Sequence, residues 1–292
     1  MVEFLKNVSL APHTTLKIGG PAEYFCQPTT SNDLLEALQS PFKPKTILGN
    51  GSNVLISDHG LPGLVIKNSV FDISFLSSNR LLVSSGTSLP LLISQSMEKG
   101  LSGLEEFAYI PGTLGGAIYC NIHGVNKNNF DKFLVSIEVF DLSTLKIQNL
   151  PSKDLSWGYD QSEFQSKPGL VILSAILQLS LGNRSQSQNL VKKITDEKSP
   201  KQSINSAGSV FKNPPGDSAG RIIDQELKLK GFRIGDAQIS KKHANFIVNL
   251  DHATAADYLS VIRHIQSETL SKLNLDLVPE IQFLGDFSLP TK

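Results

Sequence analysis

What the sequence lacks narrows its chemistry first. Its two cysteines, Cys26 and Cys120, lie far apart and form no C-x-x-C, so neither a redox pair nor a cysteine zinc site has support, and buried free thiols are expected. The six histidines show no H-x-x-x-H pairing, and no metal is expected. An excess of either charge is missing as well. The 27 basic and 27 acidic side chains cancel and are interspersed, which removes the electrostatic case for binding nucleic acid or a membrane surface. Any anionic ligand must therefore be held locally. Residues 1–16 contain no apolar leader run, and the most apolar later run, at 170–179, is too short to cross a bilayer, so a cytoplasmic protein is expected. No internal repeat stands out. A chain of 292 residues suggests about two domains, large enough to bury cores without disulfides or metals.

What is present is glycine, arranged in two loops. Leu48-Gly49-Asn50-Gly51-Ser52-Asn53-Val54-Leu55-Ile56 sets small polar residues between two apolar, strand-like runs. Glycines 49 and 51 permit positive φ and leave no Cβ in the way, so successive N–H groups can turn toward one anion, with Ser52 and Asn53 as added donors. That chemistry suits a pyrophosphate. An Asn-Gly turn joining two strands would leave the same letters. A second segment, Ile110-Pro111-Gly112-Thr113-Leu114-Gly115-Gly116-Ala117, could hold the other side of an extended cofactor. Neither segment has the G-x-G-x-x-G spacing or a P-loop lysine, so a mononucleotide-type parallel sheet is not implied.

Short strands and helices alternate along the chain, which indicates α/β or α+β architecture. Strands are expected at 22–26, 46–48, 64–66, 81–84, 135–141, 170–179, 246–249 and 279–284. A helix capped by Ser31 should run to Gln39 with Leu34, Leu35 and Leu38 inward, and another should start at Ser88 and stop at Gly100. Polar residues 182–189 read as a linker before a short helix at 188–197. Asp217 or Ser218 should cap a helix reaching Leu229. The best-defined helix spans 254–273, where Tyr258, Ile262, Ile265, Thr269 and Leu273 recur at steps of three or four. Gly216 to Gly220 fits the letters of the G-x-S-x-G nucleophile elbow, but Pro214 and Pro215 directly upstream cannot continue the strand an elbow requires.

The two glycine loops, together with Ala207-Gly208-Ser209-Val210-Phe211-Lys212-Asn213-Pro214, Gly231-Phe232-Arg233-Ile234-Gly235 and Lys242-His243-Ala244-Asn245-Phe246-Ile247-Val248-Asn249, resemble blocks of the UDP-N-acetylenolpyruvylglucosamine reductase (UDP-N-acetylmuramate dehydrogenase) family, in the family's order. The short spacing after Phe211 is similar to the form of that family without an extra tyrosine loop. The resemblance implies an α+β fold: a two-lobed FAD-binding domain of the vanillyl-alcohol-oxidase/PCMH type over 1–182, split near 67, and a C-terminal α+β substrate-binding domain over 183–292 whose last strand can return to the FAD domain. It implies NADPH-dependent, FAD-mediated reduction of UDP-N-acetylglucosamine enolpyruvate to UDP-N-acetylmuramate, a step of peptidoglycan precursor synthesis serving cell-wall biogenesis, cell shape and division. FAD would be bound, NADPH would donate hydride, and the enzyme would be a cytoplasmic monomer with no nucleic-acid or membrane partner.

By the same resemblance the cofactor would be contacted by Thr15, Ile18, Gly19 and Gly20, by Leu48, Gly49, Asn50, Gly51, Ser52, Asn53 and Val54, and by Ile110, Pro111, Gly112, Thr113, Gly115, Gly116 and Ala117. Ser209 would donate the proton and Glu280 would assist at the enolate. Substrate contacts would come from Tyr159, Lys201, Lys212, Asn213 and His243. One departure stands out: where the family has an arginine after the tyrosine, this chain has Asp160, so that role is not transferred. Three other readings remain: an FAD-dependent oxidase on the same scaffold, a serine hydrolase using Ser218, and an inactive nucleotide-binding module, which Asp160 would favour.

Overall fold

The strand Leu134–Asp141 buries Leu134, Ile137, Val139 and Phe140, and Val171 and Ile172 of the neighbouring Leu170–Gln178 face it with similarly branched side chains. It pairs antiparallel with Lys146–Pro151 on one side and with Leu170–Gln178 on the other, setting Val139 opposite both Gln148 and Ile172. Arg80–Ser84 and Ile73–Phe75 complete a five-stranded antiparallel sheet. The helices Leu89–Glu98 and Leu114–Cys120 add Leu92, Ile93, Leu114, Ala117 and Ile118 to its core, beside Phe107, Phe130 and Phe164.

This computed structural model describes residues 2–198 and 205–288. The sheet just described belongs to the first of two compact units, formed by Met1–Phe4, Cys26–Asn50 and Ile66–Ser199. The second is formed by Leu5–Phe25, Gly51–Val65 and Pro200–Lys292. In the second unit Ser206–Ser209, Phe246–Asn249, Ala237–Ile239 and Arg233–Ile234 make a four-stranded antiparallel sheet. The helix Ala255–Leu273 buries Tyr258, Val261, Ile262 and Ile265 in the same core. Its start is doubly secured. Thr254 and Asp257 form a capping box, and the Asp58 carboxylate accepts the Ala255 and Ala256 amides at 2.8 and 3.0 Å. Antiparallel Leu5–Ser9 and Pro21–Cys26 lie in this unit, as does Val54–Ile56, which pairs in parallel with the closing strand Gln282–Leu284.

Local differences from the sequence reading have physical causes. Thr30, not Ser31, caps the helix Ser31–Gln39, its hydroxyl accepting the Asp33 amide at 3.2 Å. The expected linker at 182–189 is already helical from residue 184, because Arg184–Lys198 can bury Ser187 and Ile194 on one face, and Ser187 Oγ donates to Glu105 at 2.5 Å. The helix expected to reach Leu229 ends early: Ala219–Arg221 passes into a π turn, Ile222–Glu226, and Lys228 adopts a left-handed φ of 56°. At the C-terminus only Gln282–Leu284 is regular strand, Pro279 instead bridging Phe211. Among the described residues no helix is long and apolar enough to cross a membrane.

Candidate functional site

In the first unit the two glycine loops touch. Leu48 O accepts the Asn68 amide at 2.9 Å, Gly49 O accepts Lys67 Nζ, and Asn50 Nδ2 donates to Gly112 O at 3.3 Å. A Cβ on Gly49 would lie 2.8 Å from Thr113 Oγ1, so glycine is what allows this approach. Thr113 caps Leu114–Cys120 through the Gly116 amide, while the Leu114 and Gly115 amides donate to Thr87 O and Ser85 O, each at 2.8 Å. A Cβ on Gly116 would meet only Thr113 Oγ1, at 3.6 Å, leaving that backbone open to an approaching group. Among the described residues the amides of Gly49 and Asn50 donate to no protein acceptor. Donors held in a glycine-lined loop fit a diphosphate.

In the second unit the same loop continues as Gly51-Ser52-Asn53. Gly51 has φ 61°, and a Cβ there would stand 2.4 Å from His13 O. Its carbonyl accepts Thr15 N and Thr15 Oγ1 at 3.0 and 3.3 Å. Gly20 is equally confined, for a Cβ would fall 2.2 Å from Asp58 O; Ile18 is buried beside it in the chain. Asn53 then links the loop to the C-terminal segment: Asn53 Nδ2 donates to Glu280 O at 3.3 Å, and Gln282 N donates to Asn53 O at 2.9 Å.

Glu280 and Ser209, far apart in sequence, are brought to neighbouring backbone. Glu280 N donates to Val210 O at 2.7 Å, and Lys212 N donates to Val278 O at 2.9 Å. The register shifts between Ser206 and Ser209, where Gly208 takes φ 78° and a Cβ would meet nothing within 4 Å. This irregularity re-aims the strand end at Ser209 and leaves open space beside it. Asn245, buried, clamps the next two residues: its Oδ1 accepts Phe211 N at 3.0 Å, its Nδ2 donates to Phe211 O at 2.8 Å, and its carbonyl accepts Val210 N at 2.8 Å.

A FAD binding domain family model matches residues 22–148, and the model of the UDP-N-acetylenolpyruvoylglucosamine reductase C-terminal domain matches residues 199–284. The UDP-N-acetylenolpyruvoylglucosamine reductase of Chlamydia trachomatis serovar L2 is 39% identical over 284 residues, covering 96% of this chain and 95% of its own. The chain belongs to this family. The reductase of a Synechococcus species is 40% identical over 97% of this chain and 94% of its own. The crystal structure of UDP-N-acetylenolpyruvylglucosamine reductase from Thermus caldophilus matches with a TM-score of 0.82 at 35% identity, covering 98% of this chain and 99% of that one. The fold is the family's α+β arrangement, and the protein is a flavin-dependent oxidoreductase.

The remaining candidates have distinct surroundings. Asn213 Oδ1 accepts the Ala219 amide at 3.1 Å and so helps start the following helix. His243 Nδ1 accepts the Asn245 amide at 3.2 Å, and its ring meets Phe246 at 4.6 Å. Tyr159 lies in the first unit, its hydroxyl 3.2 Å from His123 Nε2. Lys201 lies outside the described residues. Ser218 is the cap of Ala219–Arg221, its Oγ accepting Arg221 N at 3.3 Å, and Arg221 on the neighbouring Asp217 pulls that carboxyl down to about 2. A serine engaged as a cap beside an ion pair, with no strand leading into it, is not a nucleophile elbow. Among the described residues no group of three or more His, Cys, Asp or Glu side chains could hold a metal.

Sequence reasoning passed over Asn245, Asn53 as a bridge to Glu280, and His123 as a partner of Asp160. Asn245 could have been suspected as a lone amide inside the apolar Ala244 to Val248 run, a setting that demands fixed hydrogen-bond partners.

Proposed function

We infer that this chain reduces UDP-N-acetylglucosamine enolpyruvate to UDP-N-acetylmuramate, with FAD as bound cofactor and NADPH as hydride donor, in peptidoglycan precursor synthesis. The observation that carries the reading is that Ser209, Glu280 and the Gly51–Asn53 end of the glycine loop are linked by hydrogen bonds to backbone inside one compact unit. FAD, when bound, supplies the hydride chemistry. Gly49 and Asn50 would offer amides to its diphosphate, and Gly112 to Ala117 would help hold it. Ser209 Oγ–H donates a proton to the carbon next to the substrate carboxylate, and the Lys212 ammonium steadies the alkoxide left behind. Glu280 hydrogen-bonds the developing enolate. Tyr159, His243 and Asn213 orient the UDP-sugar, with Lys201 on its diphosphate. The division of labour follows 1–182 for FAD and 183–292 for substrate, and the enzyme works as a cytoplasmic monomer without nucleic-acid or membrane partners.

Anaerobic NADPH oxidation by the flavin-loaded protein tests this directly. Oxidation that continues past flavin reduction only when the enolpyruvyl UDP-sugar is present supports the reading. Oxygen consumption with a small alcohol or sugar, and none of the first activity, would make the protein an oxidase.

A further inference from the structure

Lys67 ends the strand Leu61–Lys67, and its ammonium donates to the carbonyl of Gly49 in the first glycine loop. The lysine is half-buried, and its backbone is anchored by buried residues on both sides, Ile66 and Asn68. Asn68 is itself fixed. Its amide donates to Leu48 O at 2.9 Å, its Nδ2 donates to Ser85 Oγ at 2.8 Å, and its Oδ1 accepts Val70 N at 3.1 Å. Ser85 O in turn accepts the Gly115 amide at 2.8 Å, so this short stretch ties down both glycine loops. Leu48, Gly49, Lys67, Asn68, Ser85 and Gly115 all lie in the first unit.

The direction of these bonds decides where the loop amides point. The Leu48–Gly49 and Gly49–Asn50 peptides are trans, which sets each N–H on the opposite edge from the C=O it is joined to. Asn68 N holds Leu48 O and Lys67 Nζ holds Gly49 O, so both carbonyls are drawn toward the same two residues. The amides of Gly49 and Asn50 therefore turn away from them, and among the described residues neither donates to a protein acceptor. Successive N–H groups turned the same way make an anion cradle. This arrangement needs a lock. A flip of the Gly49–Asn50 peptide would exchange N–H for C=O, and glycine and asparagine are the residue types that accept the dihedrals such a flip imposes. A carbonyl oxygen turned toward a diphosphate would repel it. The Lys67 ammonium opposes the flip, because it has only donors and the N–H that would replace Gly49 O cannot accept from it. The chain carries no net charge, so the negative charges of a diphosphate must also be met by local cations.

We propose that Lys67 is a positioning residue for the FAD diphosphate: it locks the Gly49–Asn50 peptide with its N–H outward and places one positive charge behind the loop. Its charge-assisted bond to Gly49 O also polarises that peptide, which makes the Asn50 N–H a stronger donor. Lys67 acts through the peptide and touches no reacting atom. The inference rests on FAD as the cofactor and is independent of the substrate.

The test titrates flavin-stripped protein with FAD and, separately, with riboflavin, which has the same ring system and no diphosphate. Wild type, Lys67→Met and Lys67→Arg are compared at low and at high salt, with Tm of the flavin-free proteins checking that each is folded. Lys67→Met should bind FAD about tenfold or more weakly at low salt, the scale of one hydrogen bond to a charged group, and the gap should narrow at high salt. Riboflavin should bind wild type and Lys67→Met alike, and Lys67→Arg should recover most of the FAD affinity. Nitrogen-15 spectra of wild type, which need no variant to fold, should show the Asn50 amide shifting on addition of FAD and staying in place with riboflavin. Equal losses for FAD and riboflavin, unchanged FAD affinity in Lys67→Met, or an Asn50 amide indifferent to FAD would overturn the proposal while leaving the flavin reading intact. Wild type that takes up neither flavin would instead remove the flavin reading, and this inference with it.

Discussion

A serine hydroxyl is a feeble acid, so Ser209 can act as a proton donor only toward a strongly basic carbon and only with help for the oxygen it leaves charged. Replacing Ser209 with alanine should slow reoxidation of the reduced flavin by substrate about 10²–10⁴-fold, with flavin content and reduction by NADPH unchanged. Stopped-flow absorbance separates the two half-reactions, and equal slowing of both would remove Ser209 from the chemistry. Glu280→Gln should show the same selectivity. Elsewhere, burial pushes the Cys26 thiol up to about 12. Its neutral form is favoured in the fold, so Cys26 should resist a thiol reagent at neutral pH and react only after unfolding, whereas half-buried Cys120 is the site of any native labelling. The sign follows from the raised value: any stability Cys26 contributes by staying neutral is present below its ordinary pKa of 9.0 and lost as pH rises toward 12. Rapid native labelling of Cys26 would contradict this.

Among the elements, the Ser206–Ser209 strand end matters most, because a bulge, an open glycine and one buried amide together decide where Ser209 points. Asn245→Ala should destabilise the protein by about 1–3 kcal/mol, the cost of leaving Phe211 N–H and C=O without partners in the core, and should lower kcat through a displaced Ser209. Denaturant unfolding and steady-state kinetics on the same preparation would check both. Unchanged kcat would mean the clamp is structural only. At this scale the sequence was legible unevenly. The glycine loops declare themselves because their demand is local: no Cβ fits at Gly51 against His13 O. The helix Ala255–Leu273 was equally plain from its apolar stripe. The Asn245 clamp was hidden, since its partners are backbone atoms of Phe211, 34 positions away, and a pairing over that distance leaves no periodic mark. The pairing of His123 with Asp160, 37 positions apart, was missed for the same reason. The early start of Arg184–Lys198 was obscured by its polar surface, which looks like a linker until the buried Ser187 and Ile194 are known.

For the whole molecule, cofactor binding should appear as stability. A ligand held only by the folded state stabilises it by about 2.7 kcal/mol at a hundred times its Kd, so added FAD should raise Tm clearly in wild type. Gly51→Ala, which forces a Cβ onto His13 O at φ 61°, should abolish most of that rise. The most direct measurement uses anaerobic double mixing: NADPH first reduces the bound flavin, then the enolpyruvyl UDP-sugar is added and the return of the oxidised flavin spectrum is timed. Wild type should reoxidise with one UDP-N-acetylmuramate formed per flavin, and the Ser209→Ala protein should do so at least about a hundredfold more slowly. Reduced wild type that stays reduced in the presence of this substrate, or a serine variant that matches its rate, would contradict the assignment.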